Sequence, residues 1–297
     1  MSLVTLYMRA VLWVGFCVAL PLQVVHATSL WQTTEFAQYW FQGKAEVNHY
    51  KHEQNRYGEM RKGHAVLVFV TEDFLPQKQV KADNPDRKVS GAVPVMKFNF
   101  NRKFITGIYD YANMTSVFTP LDVTVHPQTL KTTTSLQEWC GQTWLQANWR
   151  DNAYDVRGYS YYEFEGDETK TMPAAMFEDE LYTRIRLGQL QEGKVNLIMN
   201  SQDARMLHQP WEPQPATISI KSEGEHQVVR VRYQKSQRKV KIIYEKAFPY
   251  SIVSITHLWG KDVLAKLTRV GHAHTAYWNH NHEEDRLLRD MLKLPMD

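Results

Sequence analysis

The 297-residue chain is poor in cysteine, glycine and proline, with two, 14 and 12 of them respectively. Two cysteines exclude a disulfide-stapled scaffold at this length. Glycines and prolines without a period exclude collagen-like and low-complexity chains. Neither sign of charge dominates, since the net charge is +3. Because the chain also has no recognisable nucleic-acid-binding module, we expect no nucleic-acid partner. Hydrophobic residues (43%) and aromatic residues (12%) instead indicate a globular protein with a large core.

The sequence motifs of several enzyme classes are missing. There is no Gly-rich phosphate loop, no Gly-x-Ser-x-Gly elbow and no His-Glu-x-x-His helix. Residues 140–144 loosely echo the nucleophile motif of papain-like proteases, but Thr143 stands where that motif has its catalytic cysteine. We therefore interpret Cys140 as a lone structural cysteine.

Long hydrophobic runs are confined to the beginning of the chain. Arg9 precedes an apolar stretch from Ala10 to Val25, and Val25-His26-Ala27 suits a signal peptidase. The pattern predicts a signal peptide over residues 1–27, cleavage after Ala27, and a periplasmic or extracellular protein. A retained N-terminal anchor is the alternative. No later segment approaches the ~20 apolar residues of a membrane span.

The rest of the chain is dominated by period-two alternation, which indicates strands. The strongest example is 139–149, where Trp139, Gly141, Thr143, Leu145, Ala147 and Trp149 share one face and Trp144 lies on the other. Further strands are predicted at 64–71, 96–100, 121–125, 130–136 and 159–164, and as a meander over 217–270.

This pattern predicts a mainly β fold of β-rich α+β type. We expect a curved antiparallel sheet, an open barrel or a barrel-like roll, with about three helices, because many strands curl to hide their edges. Residues 28–297 are predicted to form a single domain, with two β halves (44–165 and 190–270) joined by a helix near 173–187 as the alternative.

Three helices are predicted: one after Ser29, one over 173–187 and one from Glu283 to Leu294. The last helix is predicted to face inward with four apolar residues: Leu287, Leu288, Met291 and Leu292. We attribute the acidic run 178–180 to complementation of the helix dipole. The proline-containing stretch 71–94 is predicted to be a long exposed connection.

A basic stripe is interpreted as a solvated sheet face. It comprises Arg230, Arg232, Lys235, Arg238, Lys239 and Lys241. On a hairpin, Arg230, Arg232, Lys239 and Lys241 would share the outer face, and attraction of lipid headgroups or acidic glycans is the alternative.

Four histidines near the end of the chain form a candidate metal site: His272, His274, His280 and His282. On a strand, histidines at i and i+2 point to one side and could seat two ring nitrogens on zinc or copper. An exposed cluster without metal is the alternative.

Aromatic side chains near one hairpin form the candidate ligand-binding site: Trp139, Trp144, Trp149, Tyr159 and Tyr161. Such rings could stack on a sugar or line an apolar cavity, and they could equally fill a β-rich core.

Several short runs resemble a family of uncharacterised exported bacterial proteins over most of residues 40–260. They include Gly43-Lys44-Ala45-Glu46, Arg56-Tyr57-Gly58-Glu59, Val70-Thr71-Glu72-Asp73-Phe74, Lys78-Gln79-Val80-Lys81-Ala82-Asp83, Met114-Thr115-Ser116-Val117-Phe118 and Gln137-Glu138-Trp139-Cys140-Gly141. Some members carry the label "septum formation inhibitor Maf", but this chain lacks the Ser-x-Ser-x-x-Arg motif of the Maf pyrophosphatases. The resemblance implies export and no known catalytic residues.

Together these features predict a non-enzymatic, exported envelope or ligand-binding protein that takes an apolar or glycan ligand. Lipid, glycan or another envelope component is the expected partner. A metal-dependent hydrolase or metal-binding protein using the four histidines, with zinc as cofactor, is the alternative.

Overall fold

The computed structural model describes residues 29–83 and 89–296. The predicted signal peptide (1–27) and part of the predicted connection at 71–94 lie outside the described residues.

Sixteen strands form one sheet in the described part of the chain. The first eight are β1 (Ala45–Arg56), β2 (Glu59–Leu75), β3 (Val80–Lys81), β4 (Val93–Thr106), β5 (Tyr109–Pro120), β6 (Lys131–Glu138), β7 (Gly141–Arg150) and β8 (Ala153–Ser160). The others are β9 (Glu168–Met172), β10 (Met176–Phe177), β11 (Gly193–Ile198), β12 (Pro213–Glu223), β13 (His226–Tyr233), β14 (Arg238–Glu245), β15 (Ile252–Trp259) and β16 (Asp262–Thr275).

The sheet is mainly antiparallel and does not close into a barrel. Its order is β10-β11-β12-β13-β14-β15-β16-β1-β2-β4-β5-β6-β7-β8-β9, with β3 paired to β2 off this path. β1 pairs with both β2 and β16, so the early and late strands belong to the same sheet. The predicted mainly β, antiparallel fold class is confirmed.

The alternation that predicted the strands also decides which side chains are buried. On β7, Thr143, Leu145 and Ala147 are buried, whereas Gln142, Trp144 and Gln146 are more accessible. The prediction that Trp144 lies on the opposite face from Leu145 is therefore confirmed.

Within the described residues, four short α-helices accompany the sheet: α1 (Thr34–Trp40), α2 (Leu181–Arg186), α3 (Ser201–Met206) and α4 (Leu288–Met291). Thr33 caps α1 by accepting a hydrogen bond from the backbone N–H of Phe36. The main core lies where helices α1, α2 and α3 meet the inner face of the sheet, and it contains Trp40, Phe98, Leu181 and Ala204.

Outside the helices, two predicted elements differ from the structure. Residues 121–125 form a turn, because the Asp122 carboxylate accepts hydrogen bonds from the backbone of Thr124 and Val125 and competes with strand pairing. The predicted 71–94 connection is shorter, because β2 continues to Leu75 and β4 begins at Val93, where Phe74 pairs with Val93.

The helix predicted at 173–187 is shorter than expected, and its acidic run is not at a solvated helix end. Glu178, Asp179 and Glu180 are all buried, in a 3-10 turn before α2. Glu178 accepts a hydrogen bond from buried Arg238, and Glu180 accepts one from Arg184. Asp179 accepts hydrogen bonds from Asn200 and Ser201. Neighbouring side chains neutralise or hydrogen-bond these carboxylates, and a contribution of the helix dipole stays a prediction.

The last predicted helix is also shorter. Residues 283–287 form a 3-10 turn before α4. Leu287, Leu288 and Met291, which were expected to face inward, are exposed. Leu292 alone of the expected four packs against buried valines on the outer face of the sheet.

Within residues 29–83 and 89–296, no helix combines the length and apolar character that a membrane crossing requires.

Candidate functional site: a groove beneath the C-terminal segment

The outer face of strands β16, β1, β2 and β4 changes from apolar to basic along its length. Side chains directly opposite each other on paired strands share a face. One row across the sheet runs Ala273–Val47–Val68–Asn99, as the strand pairing shows. Two rows further along the same face, the row is Lys51–His64–Lys103. The surface is therefore amphipathic along the strands.

Residues 276–296, here called the strap, return over this outer face. The Leu292 carbonyl oxygen lies 2.9 Å from His49 Nδ1. The Leu292 side chain packs with Ala45, Val47 and Val68. Arg289 Nε donates to the Pro295 carbonyl, at 2.7 Å, and holds the end of the strap in a compact turn. The strap thus forms a second wall opposite the sheet.

A groove, here called the strap groove, lies between the strap and the sheet. Its apolar part has a volume of about 590 Å³ and is lined by Val47, Val66, Val68, Met114, Met291 and Leu292 among others. Its basic part, about 650 Å³, is lined by Lys51, Lys62, Lys103, Arg289, Lys293 and the two histidines 49 and 64, together with Asp110. The two parts share His64, Lys103 and Arg289 and are therefore continuous.

The basic part carries positive charge that neighbouring acids do not neutralise. Lys51, Lys62, Lys103 and Lys293 are exposed. Among residues 29–83 and 89–296, none of these four lysines has a carboxylate within ion-pair distance. Burial lowers the pKa of His49, which favours its neutral form beside the strap. The arrangement can hold an anionic group at one end and an apolar body at the other.

The four histidines predicted to bind metal fall into two separate settings. His272 Nε2 lies 3.9 Å from a Glu46 carboxylate oxygen, and the His274 ring stacks on Tyr39 at 4.5 Å. His280 belongs to the strap, where its ring nitrogens lie 3.1 Å from Thr275 Oγ1 and 3.5 Å from Asp285 Oδ1. His282 is exposed. Zinc binding by these residues stays a prediction.

The five aromatic residues predicted to bind ligand are also distributed. Trp149 packs against the main core and contacts Tyr154 at a ring distance of 4.9 Å. Trp144 and Tyr159 pair on the outer face at 5.7 Å. Tyr161 joins them around an open pocket of about 540 Å³ that also contains Gln142 and Asp167. Trp139 lies apart from this pocket, in the exposed turn between β6 and β7.

A buried charge network, which the sequence interpretation missed, fills part of the interior. Asp203 lies 2.8 Å from Arg102 and 2.8 Å from Arg238, and Arg238 also contacts Glu178 at 2.5 Å. His257 Nδ1 lies 2.5 Å from Asp203 Oδ2. Tyr182 contacts the other ring nitrogen of His257 at 3.1 Å. All these side chains are buried.

Glu178, Asp203 and His257 could by position hold a metal ion, since one ligand atom from each lies within 4.8 Å of the others. However, the Arg238 guanidinium already bridges the two carboxylates and supplies the positive charge. The set fits a structural ion network better than a metal centre. Burial tends to raise the pKa of Asp203, but His257, Arg102 and Arg238 outweigh it and hold that pKa well below its usual range.

Arg238 was assigned from the sequence to the basic stripe, and this is wrong. Val240 and Ile242 are buried on β14, so Arg238, at the same parity, points inward. The predicted sharing of the outer face by the other strand residues agrees with the register, which pairs Arg230 with Lys241 and Arg232 with Lys239. Because Arg238 lies two residues before Val240 and four before Ile242, the alternation of the sequence could have placed it on the buried face.

No family model, no curated protein and no solved structure matches this chain.

Proposed function

We propose that this is an exported, non-enzymatic protein that binds an anionic amphiphile, an acyl chain bearing a carboxylate or phosphate headgroup, in the strap groove. The observation that carries the proposal is the continuity of an apolar groove with a cluster of unneutralised lysines around His64 and Lys103. The predicted signal peptide over 1–27 supports export.

The size and lining of the groove support this ligand class. Small-molecule sites typically occupy ~300–1,000 Å³ and combine an apolar lining with a few polar groups that fix orientation. Valines on the sheet and Met291 on the strap supply the apolar contacts. Each methylene group that enters such a lining contributes roughly 0.8 kcal/mol to binding.

The headgroup would lie between Lys103 on β4 and Arg289 on the strap, because both line the apolar and the basic parts. Ammonium and guanidinium groups form charge-assisted hydrogen bonds with carboxylate or phosphate oxygens. A neutral amphiphile of the same chain length would lose these bonds while keeping the apolar contacts.

Calorimetric titration with oleate and with oleyl alcohol tests the proposal. We expect saturable 1:1 binding of oleate and weaker binding of the alcohol. Lys103→Glu should weaken oleate binding by about tenfold or more, since a charge-assisted hydrogen bond contributes roughly 1.5–3 kcal/mol. Lys221→Glu, at an exposed position on β12 outside the groove lining, is the matched control. Equal oleate affinity for the two variants would refute the charge assignment.

The apolar part has its own test at Met114. Met114→Gln keeps the side-chain length but places an amide in the groove, so oleate affinity should fall. Met114→Leu keeps the apolar contact and should bind oleate as the wild type does. A loss of affinity in both variants would indicate altered shape instead of polarity.

A second candidate function, glycan binding, has one observation in its favour. Trp144, Tyr159 and Tyr161 surround an open pocket with Gln142 and Asp167. Rings that stack on the apolar faces of a sugar, next to amide and carboxylate groups that bind hydroxyls, suit a saccharide. Glycan-array binding that Tyr159→Ala abolishes and Lys103→Glu leaves intact would support this candidate, and an array without binding would remove it.

A further inference from the structure

Four chain turns meet at one end of the sheet. Because neighbouring strands run antiparallel, the turns after β1, β4, β6 and β8 all lie at the same end. The most exposed large apolar side chains of these turns are here called the aromatic edge: Tyr57, Ile108, Trp139, Tyr161 and Phe164.

The exposure of the aromatic edge is unusual for a soluble surface. Tyr57 is 62% exposed, Trp139 69%, Tyr161 71%, Ile108 84% and Phe164 88%. Exposed apolar side chains scattered singly need no explanation, whereas a contiguous group marks an interaction surface.

Contacts between the turns join Tyr57, Trp139 and Tyr161 along this end, and Ile108 and Phe164 belong to the same turns. The Tyr57 hydroxyl lies 3.2 Å from that of Tyr109, and the Tyr109 ring lies 6.4 Å from Trp139. The Tyr161 ring covers Gly141, where an added Cβ would come within 2.7 Å of the ring. The first three turns thus connect through rings, and the fourth packs on the third.

The basic end of the strap groove faces the same end of the molecule. Along β2, the residues that follow the apolar Val66 toward the turn on this face are His64 and Lys62. Gly63 pairs with Phe104, three residues before Gly107, and Lys62 lies one residue closer to the turn between β1 and β2. Among the acids near this end, Glu59 is paired with Arg61 at 2.8 Å and Glu138 accepts a hydrogen bond from Tyr162. Glu53, opposite Lys62, and Asp110 are also close, but the five lysine and arginine side chains of the basic part outnumber these two acids. Lys51, Lys62 and Lys103 therefore offer charge complementarity to an anionic surface.

We propose that the aromatic edge docks on the surface of an anionic lipid bilayer and brings the basic end of the strap groove to the headgroups. This deepens the proposed function and rests on it, since the docked orientation allows a membrane amphiphile to enter the groove. Tryptophan and tyrosine are the residues that favour the membrane–water interface, where the ring is buried and its polar tip stays wet.

Vesicle co-sedimentation tests the docking. The wild-type chain should bind vesicles of phosphatidylcholine with phosphatidylglycerol, and bind less to phosphatidylcholine alone. The double variant Ile108→Ser/Phe164→Ser should bind the mixed vesicles at least about tenfold less, because two apolar side chains that would be buried among the lipids are lost. Both positions are highly exposed, so folding should be preserved, and circular dichroism checks this.

The matched control is Val125→Ser, which changes an exposed apolar residue in the connection at the opposite end of β5 and β6. It should bind vesicles as the wild type does. Absent vesicle binding by the wild type, or undiminished binding by the double variant, would overturn the docking proposal.

Oleate titration without vesicles separates the two proposals. The double variant should keep the oleate affinity of the wild type, because neither residue lines the groove. Vesicle binding without oleate binding would refute the groove function and leave the docking surface. Oleate binding without vesicle binding would refute the docking surface alone.

Discussion

Gly271 on β16 lies directly beneath the backbone of Leu292 in the strap. A Cβ at position 271 would come within 2.1 Å of the Leu292 carbonyl oxygen, so this close approach requires glycine. The same carbonyl oxygen lies 2.9 Å from His49 Nδ1. The strap is therefore seated by backbone contacts with two strands, and the groove wall depends on that seat.

Replacing Gly271 by alanine should displace the strap. The added methyl group cannot fit against the Leu292 backbone, so residues 286–296 should exchange amide hydrogens faster than in the wild type. Oleate affinity should fall because one wall of the groove moves. Lys266→Ala, an exposed position on the same strand, is the control. Unchanged exchange in Gly271→Ala would contradict the close packing of strap on strand.

Asp203→Asn should destabilise the protein strongly. It removes the carboxylate that neutralises buried Arg102 and one of the two carboxylates that contact Arg238, and leaving a buried charge without its partner costs about 3–5 kcal/mol. Asp155→Asn breaks an exposed pair with Arg157 and should cost less than about 1 kcal/mol. Urea denaturation measures the free energy of unfolding of both variants. Similar losses in the two would contradict the assignment of Asp203 to a buried, charge-neutralising role.

The ionised Glu46 carboxylate should make the free energy of unfolding decrease as the solution becomes acidic. Burial tends to raise the pKa of this carboxyl, but the buried Arg186 guanidinium, the nearby His272 ring and hydrogen bonds from Tyr39 and Asn48 outweigh it and lower the pKa from 4.5 to about 2. The folded state therefore holds the charged form more tightly than the unfolded state does. This stabilisation is complete above pH 4.5 and is lost as the pH falls toward 2.

The variant Glu46→Gln should lack this acid-dependent component. We expect its free energy of unfolding to change less between pH 5 and pH 3 than that of the wild type, while being lower at pH 5. Glu225→Gln, in the exposed turn between β12 and β13, should keep the wild-type dependence. A pH dependence shared by all three proteins would assign it to other carboxyls.

The two faces of β7 should respond differently to alanine. Leu145 is 1% exposed on the inner face, so Leu145→Ala should lower the free energy of unfolding by about 2–5 kcal/mol. Trp144→Ala on the outer face should lower the free energy of unfolding by less, although the ring is larger, because part of that ring is already in solvent. Chemical denaturation measures both, and a larger loss for Trp144→Ala would reverse the assignment of faces.

The fold class was predictable because alternation reports burial directly. The meander from β12 to β16 and the β7–β8 hairpin follow from period-two patterns at Ile218, Val231, Val240 and Leu145. β1 escaped prediction because its inward face carries Glu46, Asn48, His52 and Gln54, which are buried polar residues. Alternation of hydrophobicity cannot show a strand whose buried side is polar.

The candidate site was less predictable than the fold, because it depends on which strands become neighbours. Lys51, His64 and Lys103 are far apart in the sequence and form one row only through the β1–β2 and β2–β4 pairing. Tertiary pairing likewise brings Glu178 and Arg238 together, 60 residues apart. The exposed aromatic residues Trp139 and Tyr161 were identified from sequence, but their place at one end of the sheet required the strand order.

Hydrogen exchange with and without bound oleate tests the central proposal most directly, because it reports where the ligand lies. The proposal predicts slower exchange confined to the strap groove: residues 62–68 of β2, 99–103 of β4 and 288–294 of the strap. Protection around Trp144 and Tyr159 instead, or no protection at any amide under saturating oleate, would contradict it.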